Sequence, residues 1–543
     1  MYQDLREYLE LLERQGLLMR VAAPVDKDTE LHPLVRWQFL GLPDHQRKAF
    51  LFDNVVDAKG RRYETPVVLG ALASNEAIYA LGMGCEPGKS FEKWSAAVAA
   101  PLAPELVDTG PVKEEIHVGE GLLEHGGLAE FPVPISTPGF DNGPYFTACP
   151  WITKDPETGI RNVGNYRGQI KSPTKTGVYL ISGQQDLAVH WNKASALGQP
   201  LPAAGVIGAV PCLSYVAVQK IAYGVDELGV AGAILGRPMP LVKCETVDLE
   251  VPADAEIVIE GYIRTDVLEP EGPFGESHGY MDPRSLSPVF EVTCITHRKN
   301  PHYVGVLSQV TPSESSKIKH RGWESLVLDH LRNHCNLKSV VRVGMHEPLV
   351  NLRQFVVVQM RKTHKLDPWQ AMMAVLGFRY DLGKVVIAVD DDIDPENFAA
   401  VNWAICHRSQ PHRDVRIIEG RQTVHSPINL VRVHGHPGDY DSEDSSLLID
   451  ATKKAEFPPV SLPTREYMER ARKLWDELGM PELQYGNPWH GYSLGLWPAE
   501  LDDEAALAVQ GEHYRIGAKL DERAVSVARG ERLQDVQKRW KPE

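Results

Sequence analysis

The sequence predicts a multidomain protein of the α/β class (α+β overall), with a β-rich, barrel-like middle domain between two α/β regions. Three observations predict this fold. The 543 residues exceed one ordinary domain, strand patterns dominate the middle of the chain, and strands alternate with helices after about residue 320. The expected domains are an N-terminal α/β domain, the β-rich domain, a C-terminal α/β domain and a helical tail, at residues 1–115, 116–315, 316–450 and 451–543.

The N-terminal region opens with a predicted amphipathic helix. Leu5, Leu9 and Leu12 recur at helical spacing, and Gly16 follows as a residue that ends helices. In the middle domain, Ala255–Ile263 and Tyr303–Val310 are predicted strands, separated by turns rich in glycine and proline.

The C-terminal region shows alternating patterns. We expect a helix, a strand, a second helix and a fully apolar strand over Trp323–Asn333, Gln354–Met360, Pro368–Leu376 and Val385–Val389. The segment 434–446 is polar and rich in Gly, Asp and Ser, which predicts a loop or linker. The charged tail from about residue 464 has little core of its own, so we expect it to contact another subunit or the body of the chain.

Charge and cysteine usage narrow the functional class. The 57 basic and 73 acidic residues give a net charge of −16, which disfavours a nucleic acid or an anionic membrane as partner. Seven scattered cysteines without a CxxC pair predict reduced thiols. The N-terminus has no apolar signal region, and the longest apolar stretch, Ala203–Val218, is interrupted by Pro211. We therefore expect a soluble, cytoplasmic protein whose anionic ligands need a metal ion or a few placed basic residues.

Two short motifs carry candidate chemistry. The segment Asn162–Arg167 offers an amide oxygen for a hard cation and a guanidinium for a carboxylate or phosphate, although taken alone it is more often a glycine turn with an exposed arginine. In Glu271–Glu276, Pro273 and two glycines exclude a helix and predict a tight loop that can hold two carboxylates near each other, although the spacing does not require it. Repulsion within such a pair favours one protonated acid, whereas the simpler interpretation is two solvated glutamates.

Three further features are weaker. Glu227 precedes the apolar run Leu228–Leu235 and is either a first-turn acid of a helix or a ligand. Lys384 precedes a buried strand, and the acids 390–394 follow it at a place where ligands often gather. A calcium loop does not fit these acids, so we interpret them as a solvated turn with capping aspartates. His434 and His436 are a weak metal signal in the predicted loop; neither a dinucleotide-binding glycine motif nor a P-loop is present.

Taken in order, these segments resemble the UbiD family of prenylated-FMN-dependent decarboxylases and carboxylases. The N-terminal helix also fits. The matching segments are NVGNYRGQ, LVKCETVDLEVPADAEIVIEGYI, EGPFGESHGY, GKVVIAVDDDIDPENFAAVNWAICHR and LLIDATKK. The resemblance implies a split-barrel, flavin-binding middle domain and a carboxy-lyase that acts on an aromatic, heteroaromatic or α,β-unsaturated acid without net oxidation. A covalent adduct with prenylated FMN is the electron sink in this chemistry.

The resemblance also implies roles for individual residues. Arg167, Glu271 and Glu276 form the catalytic ionic network, with Glu276 as the proton donor. Residues implied to bind the cofactor are Asn165, Tyr166, Arg167, Tyr179, Leu180, Ile181, Ser182, Gln184, Gln185 and Lys384. Residues implied to bind Mn²⁺ or Mg²⁺ at the flavin phosphate are Asn162, Glu227 and Gln185. Carbonyls near Ile160 and Cys212–Tyr215 are implied to hold K⁺.

Several points stay open within this interpretation. Gln185 stands where several members carry a histidine ligand, which leaves the identity of the metal open. The segment Gly143–Thr147 favours ring acids over acrylic acids as substrates. Alternatives are the carboxylation direction, a non-catalytic subunit of a phenol-type carboxylase, and a plain FMN oxidoreductase. The intact Arg167, Glu271 and Glu276 set argues against the non-catalytic subunit. The partners expected are the acid substrate, a flavin prenyltransferase that supplies the cofactor, and further copies of the chain as a homodimer or higher oligomer.

Overall fold

The computed structural model describes residues 2–180, 185–221, 224–350, 353–421, 444–481, 483 and 496–539. It confirms the multidomain α/β class, because its three largest sheets have four, nine and five strands and are accompanied by helices. The helices before the tail are Leu5–Arg14, Leu31–Gly41, Glu76–Gly82, Ser90–Ala99, Glu120–Glu124, Asp186–Ala196, Pro211–Val216, Glu227–Leu235, Glu314–Asp329, Glu347–Val350, Asp367–Phe378, Phe398–Arg408 and Pro411–Asp414, with 3-10 turns at Asp44–Gln46, Pro111–Lys113 and Gly127–Glu130.

The N-terminal sheet combines parts of the chain that are distant in sequence. Its strands, in spatial order, are Leu18–Val21, Ala49–Phe52, Val67–Leu69 and Tyr303–Val304. The predicted N-terminal helix is confirmed at Leu5–Arg14, with Asp4 accepting the Glu7 N–H at its start and Gly16 in the left-handed region after its end.

The nine-stranded sheet forms the middle of the molecule. Its strands, in spatial order, are Arg161–Asn165, Pro150–Lys154, Leu201–Ile207, Ile257–Glu271, Ser285–His297, Lys175–Gly177, Gly168–Ser172 and Tyr145–Phe146, with Glu115–Val118 paired to Ser285–His297. The strand predicted over Ala255–Ile263 continues to Glu271.

The strand predicted over Tyr303–Val310 is too long, because it ends at Val304. Beyond it, Thr147 and Glu314 side chains accept the Val306 and Leu307 N–H groups, so side chains replace a strand partner there.

The five-stranded sheet confirms the strand and helix alternation of the C-terminal region. Its strands, in spatial order, are Val340–Met345, Phe355–Met360, Val385–Asp390, Asp444–Asp450 and Val415–Arg421, and the middle three run parallel. Val385–Asp390 lies between two parallel neighbours in this sheet, which explains why its residues 385–389 are all apolar.

Three predictions for this region need correction. The helix predicted from Trp323 begins at Glu314, because Ser313 and Ser316 form a capping box, and after Asp329 the chain continues as the π-helix His330–His334. Residues 444–446, predicted as loop, begin a strand; residues 434–443, which include both histidines of the weak metal signal, lie outside the described residues. The acids 390–394 are not simply solvated, because Asp390 and Asp392 bind the buried Arg408.

Small sheets and the tail complete the structure. The remaining strands are Val25–Asp26, Val55–Val56 and Arg62–Tyr63; Glu105–Leu106, Pro240–Lys243 and Glu250–Pro252; and Phe274–Gly275 with Met281–Asp282. The tail contains the helices Arg465–Glu477, Ala499–Val509, His513–Asp521 and Leu533–Gln537, of which the first three bury no side chain. Its role as a subunit contact and the boundaries at 115, 315 and 450 stay predictions. None of the described helices is long and apolar enough to cross a membrane.

Candidate active site

Arg167 lies in a short connection between two strands of the nine-stranded sheet, Arg161–Asn165 and Gly168–Ser172. The Trp151 indole N–H donates to the Tyr166 carbonyl oxygen at 2.9 Å, and the Tyr179 N–H donates to the Arg167 carbonyl oxygen at 3.1 Å. Hydrogen bonds on both sides therefore fix the backbone from which the Arg167 side chain projects.

The Arg167 guanidinium binds both predicted catalytic carboxylates. Its Nε and Nη2 donate to the two oxygens of Glu271 at 3.1 and 2.8 Å, and its Nη1 donates to Glu276 Oε1 at 2.5 Å. Burial alone would lower the pKa of Arg167, but the charges of Glu276 and Glu271 raise the pKa overall. Arg167 is therefore a permanent cation that holds two acids at fixed positions.

Two aromatic rings confine the same guanidinium. The Arg167 Cζ lies 3.8 Å from the centre of the Tyr179 ring and 4.8 Å from the centre of the Phe274 ring. These cation–π contacts and the bidentate pair with Glu271 restrict the arginine to one orientation.

The segment that joins Glu271 to Glu276 is a tight, ordered turn. Glu271 ends the strand Ile257–Glu271 and is fully buried, Gly272 has φ +99°, and Phe274–Gly275 pairs with Met281–Asp282. The interpretation as two solvated glutamates is wrong. The argument from repulsion between the acids also needs correction, because Arg167 lies between them and offsets it.

A cleft opens beside this network. Among the predicted residues, those that line it are Asn165, Tyr166, Arg167, Tyr179, Gln185 and Glu276. Glu271 is not part of the lining, so it lies behind Arg167, whereas Glu276 faces the space. This arrangement places one carboxyl group where it can reach a ligand and the other where it can only support the arginine.

Asn162 and Glu227 come together on one side of this region. Glu227 is the first residue of the helix Glu227–Leu235, and its Oε2 accepts the Val163 N–H at 3.2 Å, next to Asn162 on the strand. Asp226 is the residue that caps the helix, through the Leu228 N–H. Burial raises the pKa of Glu227 to about 7, with Asp226 and Asp186 adding to the effect.

Comparison with known proteins identifies the family. Models of the 3-octaprenyl-4-hydroxybenzoate carboxy-lyase N-terminal domain, Rift-related domain and C-terminal domain match residues 9–98, 105–310 and 321–439, together more than half of the chain. The chain belongs to the UbiD family. By its description this is a family of carboxy-lyases, so membership supports decarboxylase function.

Individual UbiD relatives match along nearly their whole length. An uncharacterized protein of Aquifex aeolicus is 33% identical over 518 residues, covering 88% of this chain and 99% of its own. The UbiD-class enzyme HmfF from Pelotomaculum thermopropionicum, solved in complex with FMN, has a TM-score of 0.75 at 33% identity and covers 87% of this chain and 100% of its own. The closed form of vanillic acid decarboxylase from Sedimentibacter hydroxybenzoicus has a TM-score of 0.73 at 27% identity, with 87% and 99% covered.

Two residues for which the resemblance implies cofactor binding do not line the cleft. Leu180 does not line it, and Lys384 instead forms an ion pair with Asp444 in the five-stranded sheet. Ile181, Ser182 and Gln184 lie outside the described residues. The Ile160 carbonyl oxygen, implied to hold K⁺, accepts the Asp155 N–H at 2.8 Å, and the K⁺ site stays a prediction.

The structure adds Lys319, which the sequence analysis missed. Lys319 lies on the helix Glu314–Asp329 and lines the cleft, and burial, with Arg353 nearby, lowers its pKa to about 8. In the sequence it is one of two lysines in a polar stretch, and no local pattern separates it from a surface residue. Only the packing of this helix against the middle domain brings it to the site.

Proposed function

We propose that the chain is a non-oxidative decarboxylase that uses prenylated FMN to release CO₂ from an aromatic, heteroaromatic or α,β-unsaturated carboxylic acid. The observation that carries the proposal is the buried Arg167, held from behind by Glu271 and contacting Glu276 in the cleft wall. The solved UbiD-class enzyme HmfF supports the cofactor, since one of its structures is a complex with prFMN at 33% identity to this chain.

The residues beside the cleft fit a flavin phosphate and a divalent cation. Asn162 Nδ2 and Asn165 Oδ1 are buried and have no hydrogen-bond partner among the described residues. Such groups are costly unless a ligand satisfies them. The buried carboxyl group of Glu227 is destabilised in its charged form, and a bound cation would reverse that effect. Asn162, Glu227 and Gln185 would hold Mn²⁺ or Mg²⁺, and Asn165, Tyr166 and Tyr179 would contact the flavin.

Each protein group then has a defined task. When bound, prenylated FMN supplies the sink for the electron pair that the departing CO₂ leaves behind. Arg167 and Lys319, the basic side chains in the described lining, orient the substrate carboxylate by charge. Glu271 fixes Arg167 in place. Glu276 holds the proton that is transferred to the carbon from which CO₂ left, and solvent protonates Glu276 again.

The proposal also covers the direction of the reaction, the supply of the cofactor, the monovalent ion and the assembly. Proton transfer and CO₂ loss are reversible, so carboxylation at high bicarbonate belongs to the proposal. A flavin prenyltransferase is the expected supplier of the cofactor, K⁺ the expected monovalent ion, and a homodimer or higher oligomer the expected assembly.

Co-expression with a flavin prenyltransferase tests the proposal. The purified protein should carry a flavin heavier than FMN by one prenyl group in the mass spectrum, and it should release CO₂ from a member of an acid panel. Protein made without the prenyltransferase should carry little of this flavin and release little CO₂. An active protein that contains only unmodified FMN, or one that oxidises NAD(P)H with a reversible flavin colour, would show that the assignment is wrong.

A further inference from the structure

A second group of polar side chains lies away from the cleft, at the edge of the nine-stranded sheet. His117 is on the strand Glu115–Val118, His297 ends the strand Ser285–His297, and Glu130 ends the 3-10 turn Gly127–Glu130. His117 pairs with Ile295, two residues before His297, so both imidazoles project from the same face of the sheet. None of these three residues lines the cleft.

The three side chains converge on one point. His117 Nδ1 lies 3.2 Å from Glu130 Oε2, and His297 Nε2 lies 3.5 Å from Glu130 Oε1. One ligand atom from each residue lies within 4.8 Å of the other two. Three ligands bound tetrahedrally to Zn²⁺ at ordinary bond lengths are separated by about 3.3 Å, so small side-chain movements would complete the geometry.

The converging atoms lack other partners. His117 and His297 are each 6% exposed, and His117 Nδ1, His297 Nε2 and Glu130 Oε2 make no hydrogen bond within the described part of the chain. Buried polar atoms are normally satisfied, because an orphaned one destabilises the folded state. A shared ligand at the centre of the group would satisfy all three.

The other nitrogen of His297 supports metal binding. Its Nδ1 lies 2.8 Å from the Arg298 carbonyl oxygen, which can only accept, so Nδ1 carries the proton and donates it. The lone pair of Nε2 then points toward Glu130 and His117. A backbone carbonyl behind a metal-bound histidine is the usual way in which proteins fix the ring and its tautomer.

The charges that face the group also suit a cation. Burial lowers the pKa of His117 and of His297, which keeps both imidazoles neutral and able to act as ligands. Glu130 and Glu115 supply negative charge, whereas His125, stacked 3.8 Å from the His117 ring centre, and Arg61 are the basic neighbours. Burial raises the pKa of Glu130, and a bound cation would favour its ionised form.

We propose that His117, Glu130 and His297 bind a divalent transition-metal ion, with Zn²⁺ as the best fit to two imidazoles and one carboxylate. Three protein ligands leave one coordination position for water or a small anion. The ion joins an edge strand and a turn to the end of a long central strand, three segments separated in sequence. It is separate from any metal held by Asn162 and Glu227.

Cobalt binding to the full-length protein tests this site without relying on activity. After a chelator has removed bound metals, Co²⁺ added to the wild-type protein should give the strong visible absorption of a low-coordinate ion. The wild-type protein should also bind one more equivalent of Co²⁺ than the Glu130→Gln variant does. That variant should weaken Co²⁺ and Zn²⁺ binding at this site by at least about tenfold. His125→Gln, which changes a neighbour but no ligand, should keep the absorption, and so should Glu227→Gln, which alters the cleft.

Two further measurements keep the test decisive. Zn²⁺ should raise the melting temperature of the wild-type protein and of His125→Gln, but raise that of Glu130→Gln less. If circular dichroism shows that Glu130→Gln is unfolded, anomalous scattering at the zinc edge from wild-type crystals soaked in Zn²⁺ decides, with a peak expected between His117 and His297. An unchanged Co²⁺ spectrum in Glu130→Gln, or no peak at this position, would overturn the proposal.

Discussion

Two groups in the candidate active site handle buried charge in opposite ways. In the arginine cluster, formed by Arg167, Glu271 and Glu276, a protein cation lies between two acids and is bound to both. In the Glu227 cluster, formed by Asn162 and Glu227, the acid is buried with a backbone N–H as its partner, and no basic side chain in the described ranges pairs with it.

This difference indicates a division of labour. A group that already contains charges of both signs can hold reacting atoms in place and move a proton without recruiting an ion. A buried acid beside an amide nitrogen that has no hydrogen-bond partner among the described residues is destabilised until a cation and its anionic ligand arrive. We therefore propose that the arginine cluster carries out the chemistry and that the Glu227 cluster retains the cofactor.

Arg167→Met should cause the largest loss, because it leaves Glu271 buried without its counterion. We expect decarboxylation to fall by more than about 10³-fold and the free energy of unfolding to fall by about 3–5 kcal/mol. Denaturant unfolding and CO₂ release measure the two effects. Arg264 is the matched control, since it also bridges two acids, Asp266 and Glu291, but at the surface. Arg264→Met should change the unfolding free energy far less, because water screens its ion pairs, and an equal loss in both variants would contradict the account.

Glu276→Gln should lower turnover by about 10²-fold or more, since the amide has nearly the same volume but cannot donate the proton. The fold and the bound flavin should be retained. Glu276→Asp should lose less, because a shorter acid can reach the site through a water molecule. Steady-state rates and deuterium incorporation from D₂O measure the step, and near-normal turnover in Glu276→Gln would remove Glu276 from the donor role.

Glu227→Gln should weaken metal affinity by about 10–100-fold, because it removes one negative charge from the proposed ligand set. Less metal and less flavin should then remain after gel filtration, as measured by metal analysis and by flavin absorbance. Wild-type occupancy of both in this variant would remove Glu227 from the cofactor site. Dialysis of the wild-type protein against a chelator should produce the same loss of flavin.

Lys319→Met should have the smallest effect of the four. If Lys319 orients the substrate carboxylate, losing one charged hydrogen bond should raise KM by about tenfold and leave kcat nearly unchanged. Flavin content serves as the control, since a fall in occupancy would instead assign Lys319 to the cofactor.

The sequence predicted those parts of the fold whose pattern is local. The strand at Val385–Val389 was predicted because all five residues are apolar, and the helix Leu5–Arg14 follows from leucine spacing. The start of the helix at Glu314 was missed because its capping box consists of serines, which also occur in loops. Tyr303–Val310 was overextended because side chains satisfy the backbone after Val304.

The site could be predicted only in part, because its contacts are distant in sequence. Arg167 and Glu271 are 104 positions apart, and local spacing alone favoured solvated glutamates. The resemblance to the UbiD family supplied the grouping that local patterns could not. Lys319 and the cluster of His117, Glu130 and His297 have no sequence motif, since each depends on how separate strands and helices pack.

Turnover per bound flavin, compared between Glu276→Gln and Glu227→Gln, tests the division of labour most directly. Both variants replace a carboxyl group by an amide, so each change leaves the volume of the side chain nearly the same. The account predicts that Glu276→Gln keeps its flavin but loses turnover per flavin, whereas Glu227→Gln loses flavin but keeps near-wild-type turnover on the flavin that remains. The reverse pattern, with full flavin and low turnover in Glu227→Gln, would contradict it.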